Sequence, residues 1–76
     1  MGQRKKYDLV GIDGNAFFVM GYVTHAMRKN RKAMGWNTAH ECGEAVRAYM
    51  ADAKSSDYNH LIAVSAEMVE RINRAI

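Results

Sequence analysis

At Asp13-Gly14-Asn15 the hydrophobic pattern of this chain changes period, and no other feature constrains the fold as much. Before this point, Tyr7 to Ile12 alternates, the mark of a half-buried strand. A glycine after aspartate tolerates positive φ and punctuates such a segment, so a short strand is expected to end there. After it, Ala16, Val19, Met20, Val23, Ala26 and Met27 recur at intervals of three and four. That spacing predicts an amphipathic helix running to about Lys29, with Asn15 as its N-cap.

Arg28 to Trp36 carries charge, Asn30 and Gly35 without a sustained period, and reads as a connection whose end Trp36 clamps. Thr38 and Glu41 have the spacing of a capping box, and Ala39, Cys42, Val46, Tyr49 and Ala53 then repeat at helical intervals. Lys54-Ser55-Ser56-Asp57 breaks this second helix and offers a new N-cap in Ser56 or Asp57. Tyr58, Leu61, Ile62, Ser65, Met68, Val69, Ile72 and Ile76 follow a period near 3.6. Leu61 to Ala66 is apolar enough for a strand, but the unbroken spacing through Ile72 favours helix. The expected architecture is α+β and mainly helical. One short N-terminal strand precedes three helices in a single small domain over residues 1–76, with 1–6 as a flexible basic tail.

A chain of 76 residues buries only about 60% of the surface its unfolded form exposes, so its stability is marginal. Cys42 is the only cysteine, which rules out an internal disulfide and leaves self-association as the common means of support. A lone strand also needs partners for its backbone groups. Tyr7–Ile12 is therefore expected to pair with the same strand of a second copy or to add to the edge of a different protein. The third alternative is an extended segment that wraps the helices.

The formal net charge is +3, and seven of the eleven basic residues lie in two runs, 4–6 and 28–32. Such runs suit phosphates, with Arg28, Lys29, Arg31 and Lys32 as contacts and Asn15 with the first helix amides as a phosphate site. They equally suit a solvated tail and a helix end whose dipole favours cations. The apolar run after the basic N-terminus is short and broken by Asp8 and Asp13, unlike a signal peptide, and no segment approaches the ~20 apolar residues of a membrane span. With a single thiol, this predicts a soluble, reducing, cytoplasmic setting.

Catalytic chemistry is thin. His25, His40, His60 and Cys42 fall at none of the intervals typical of zinc sites, and Cys42 lies on an apolar stripe where a buried thiol is common. No nucleophile, base and oxyanion set is evident, so neither a cofactor, a metal nor an enzymatic activity is expected. Asp57 to His60 reads as a helix cap, because a role for His60 would need an acidic neighbour that the sequence does not place. The six methionines fit core filling. The aromatics are more informative. Phe17 and Phe18 straddle the first helix's stripe and cannot both be buried by one small monomer, so one of them, with Tyr22 and Tyr7, is expected on a contact surface. Gly21, inside that helix at a cost of about 1 kcal/mol relative to alanine, is either simply tolerated or marks a close packing partner.

Two resemblances add to this reading. Asp13-Gly14-Asn15 after a strand is similar to the opening of metal-dependent 5′-nucleases, which gather several carboxylates around metal ions. Here only Asp8 is near and no later strand ends in acid, so a turn closed by Asp13 is preferred. More broadly, the run from Lys6 to Phe17 (KYDLVGIDGNAF), Gly21-Tyr22, and Ser56-Asp57-Tyr58-Asn59-His60-Leu61 with Ser65 and Glu67-Met68 resemble a family of short uncharacterised proteins of phage and bacterial genomes. The resemblance implies a phage or mobile-element setting, and with it the cytoplasm of a bacterial host. The expectation is a non-catalytic protein-binding module, homodimeric or larger, contacting partners through Tyr7, Leu9, Phe17, Phe18, Tyr22 and Trp36. A host protein is the expected partner, in the manner of a phage-encoded, anti-CRISPR-like inhibitor of a defence or regulatory protein. The alternative is a nucleic-acid or nucleotide binder using the two basic runs.

Overall fold

The stripes of the three expected helices meet in one core. A computed structural model describes residues 6–76, in which α1 spans Ala16–Lys29, α2 spans Ala39–Ala53 and α3 spans Tyr58–Ala75. Val23, Ala26 and Met27 of α1 and Ile72 of α3 are fully enclosed, against Cys42, Val46, Tyr49 and Ala53 of α2 and Leu61 and Val69 of α3. Full burial of a side chain the size of Val23, Met27 or Ile72 is worth about 1.5–3 kcal/mol. All three helices pack on one another, and the domain is flat, 36 × 31 × 15 Å.

Each helix begins where a side chain can satisfy its free amides. The Asn15 side chain accepts from the Phe17 amide, Thr38 and Glu41 form the full capping box, and Asp57 accepts from the His60 amide. At the other end of α1, Asn30 closes the helix through its backbone N–H and its side-chain amide, both donating to the Ala26 carbonyl. The following turns pass through Gly35, whose φ of +87° is left-handed and favours glycine.

The expected strand is corrected. Among the described residues there is no strand, and the segment from Tyr7 to Asn15 is an irregular strap across α1 and α3. Asp8 Oδ1 accepts from the Val10 amide, Gly11 takes φ +91°, and the Ile12 amide donates to the Leu9 carbonyl, so the chain bends in the middle of the alternating run. Side chains replace a sheet partner. Asn73 accepts from the Tyr7 amide and donates to the Tyr7 carbonyl, the Tyr22 hydroxyl accepts from the Asp8 amide, and the Tyr58 hydroxyl donates to the Gly14 carbonyl at 2.5 Å. With the chain bent at Gly11 and these groups paired to side chains, the segment offers no regular extended ladder. The expectation of a flexible tail falls mostly on residues 1–5, outside the described residues.

Candidate interaction surface

Once α1 turns Val19, Met20, Val23, Thr24, Ala26 and Met27 inward, its 3.6-residue period sends Phe17, Phe18, Gly21, His25, Arg28 and Lys29 outward. These six form a continuous face. The two phenylalanines sit at its N-terminal end, the two cations at its C-terminal end, and Gly21 and His25 along its midline. Phe17 is 84% exposed and Phe18 58% exposed, a large apolar area for a domain of this size to leave in water. A Cβ built on Gly21 meets nothing within 4 Å, so no described residue requires glycine there.

The other expected contact residues divide. Tyr7 lies in the core, 8% exposed, with its hydroxyl accepting from Asn30 and its ring edge-on to Tyr22 at 6.1 Å, so it is not available as a surface contact. Leu9, Tyr22 and Trp36 are half-buried against the core. Val10, absent from the expected set, is 85% exposed. It was hidden because an alternating segment read as a strand gives no sign that a bend will push one apolar residue outward. Val10 lines an open groove of about 510 Å³ with Leu9, Ile62 and Val69, rimmed by Asp8 and Glu70. A smaller hollow of about 330 Å³ lies between α2 and α3 beside Trp36.

The proposed phosphate contacts are not brought together. Asn15 uses its side-chain oxygen to cap α1, and the Asp13 carboxylate accepts from the Asn15 amide, placing an anion where a phosphate would sit. Arg28 and Lys29 lie at the far end of α1, about 20 Å away at 1.5 Å per residue. The Arg31 guanidinium donates to the Trp36 and Asn37 carbonyls and so staples the connection between α1 and α2. Arg28, Lys29 and Lys32 are exposed.

One polar pair escaped sequence reasoning. His60 Nε2 lies 2.9 Å from Asp52 Oδ1, joining the start of α3 to the last turn of α2. This hydrogen bond raises the imidazole pKa above its ordinary value. The acidic neighbour is eight residues back across a turn, a distance no local motif encodes. Among the described residues no serine, threonine or cysteine hydrogen-bonds the ring, and no group of three or more His, Cys, Asp or Glu is placed to hold a metal ion. No helix among them is long and apolar enough to cross a membrane.

No family model, no curated protein and no solved structure matches the chain.

Proposed function

We propose that this protein is a non-catalytic binding module whose contact surface is the outward face of α1. The observation that carries this reading is the exposure of Phe17 and Phe18 side by side in the first turn of a capped helix. Leaving two rings in water has a solubility cost with no return within the monomer, whereas ordered aromatics with few rotatable bonds are efficient contact groups at an interface. A host protein bound by a phage-encoded inhibitor is one form of this reading, motivated by the resemblance to short phage proteins. The nucleic-acid alternative is less favoured, since Asn15 and Arg31 are engaged in holding the fold and Asp13 occupies the helix N-terminus.

A photo-crosslinking amino acid placed at position 17 in the producing cell tests the reading directly, with the same group at exposed Ala63 on α3 as control. Protein adducts at position 17 and none at position 63 are expected. Nucleic-acid adducts, or equal labelling at both positions, would defeat the proposal.

A further inference from the structure

Hydrogen bonds at the two ends of the domain fix how its charges are arranged. At one end, the Tyr58 hydroxyl at the start of α3 donates to the Gly14 carbonyl just before α1. At the other, the Tyr7 hydroxyl accepts from Asn30, which closes α1, while Asn73 in the last turn of α3 holds the Tyr7 backbone. The helices α1 and α3 therefore run in the same direction, and both end beside Tyr7. Arg31 donates to the Trp36 and Asn37 carbonyls, so α2 begins at this end too.

Cations that the sequence separates gather here. Lys6 adjoins Tyr7, Arg28 and Lys29 end α1, Lys32 follows in the next turn, and Arg71 lies one turn from the end of α3. All five are exposed, and none forms an ion pair among the described residues. Arg31 adds its charge while bound to carbonyls, and Arg74 adds its own beside Glu70. Asp13, Asp52 and Asp57 lie at the opposite end. Of the other carboxylates, Glu41 is taken up by its capping box, Glu44 and Glu70 by Arg47 and Arg74, and Asp8 and Glu67 stand at the borders of the patch. Helix dipoles account for Arg28, Lys29 and Arg74, which lie in last turns, but not for Lys6, Lys32 and Arg71.

We infer that this cationic end binds nucleic acid, gripping the phosphate backbone of a duplex without reading its sequence. It goes beyond the reading of the α1 face, for Phe17 lies roughly 18 Å back along α1 from Lys29 at 1.5 Å per residue. It is also the end opposite Asn15. Neither the groove nor the hollow is lined by more than one cation, so a small anion has no pocket here, whereas an extended polyanion meets all the charges at once. A folded acidic protein or a bilayer would require apolar contacts among the charges. The exposed rings of Phe17, Phe18 and Tyr58 lie at the opposite end, and only Val10 and Ile76 border the patch. An unpaired strand would require rings on which bases stack, and Trp36 is half-buried. A duplex backbone requires only exposed lysine and arginine.

Fluorescence anisotropy of a labelled DNA duplex of about 20 base pairs, titrated with the full chain, tests this. With four or five phosphate contacts, raising salt from about 50 to 200 mM is expected to weaken binding roughly 10²- to 10³-fold. Lys6→Glu, Lys29→Glu and Arg71→Glu should each weaken binding and reduce the salt slope by about one, although they come from three separate stretches of chain. Arg47→Glu/Lys54→Glu, which lowers the net charge further but lies off this end, should leave binding unchanged. Circular dichroism confirms that each variant, altered only at exposed positions, is folded. No binding at the lower salt overturns the inference. So does an equal loss in Arg47→Glu/Lys54→Glu, which would make net charge the cause, or a loss confined to Lys29→Glu, which would leave only the local run. Binding to polyglutamate or to anionic phospholipid vesicles but not to the duplex overturns nucleic acid as the occupant. Protein adducts from position 17 should persist in Lys6→Glu/Arg71→Glu, so failure here and failure of the α1 reading are separately visible.

Discussion

The side-chain amide of Asn73 makes both backbone hydrogen bonds of Tyr7, accepting from its N–H at 3.1 Å and donating to its carbonyl at 2.8 Å. A primary amide presents a donor and an acceptor side by side, as a neighbouring strand would, so one residue of α3 stands in for a sheet partner. The consequence is a buried Tyr7 ring whose hydroxyl reaches Asn30 at the far end of α1.

Asn73→Ala removes both bonds and leaves two partly buried backbone groups without partners. The expected cost is about 1–3 kcal/mol, and a domain of this size loses roughly 4–8 °C in Tm for each kcal/mol. Thermal unfolding followed by circular dichroism measures it. An unchanged Tm would mean that the strap contributes nothing to the folded state.

Tyr49 and Ser65 share a buried hydrogen bond of 2.6 Å between α2 and α3. Burial pushes the Tyr49 hydroxyl pKa up, with the Ser65 bond opposing it. Ser65→Ala orphans that hydroxyl and should destabilise by about 1–3 kcal/mol, while adding Tyr49→Phe should recover part of the loss because no polar group is then left unpaired. Urea midpoints of the two single variants and the double variant form the cycle; additive losses would contradict the coupling.

Stability should also depend on the Asp52–His60 pair. The folded imidazole has a pKa raised by its bond to Asp52, so the contribution is fully present below the ordinary histidine value of 6.5 and is lost as pH rises through the folded value. Wild-type urea midpoints are expected to fall across that window. His60→Gln and Asp52→Asn should each flatten the fall, and an unaltered pH profile in both would assign it elsewhere.

Two glycines should respond in opposite directions to alanine. Gly21→Ala adds a Cβ into open space within a helix and is expected to stabilise the dilute monomer by up to about 1 kcal/mol. Gly35→Ala forces a φ of +87° on a residue that disfavours it and should destabilise by about 1 kcal/mol or more. Chemical denaturation at low protein concentration reads both, and a shared sign would refute the contrast.

What the sequence by itself determined is local. Apolar spacing near 3.6 placed three helices, and acceptors within two or three residues of the amides they serve, at Asn15, Thr38 and Asp57, marked their starts. Helix geometry makes such contacts a property of short segments, so they can be read before any packing is known. Six alternating residues state only that one side of a segment is buried; they do not say what satisfies its backbone. That depended on Asn73, sixty-six positions away, and on Tyr22 and Tyr58, which meet the strap only once α1 and α3 have packed. Packing likewise decided that both Phe17 and Phe18 face water and that Asp52 reaches His60. Each depends on the orientation of whole helices around a shared core, which no local pattern contains.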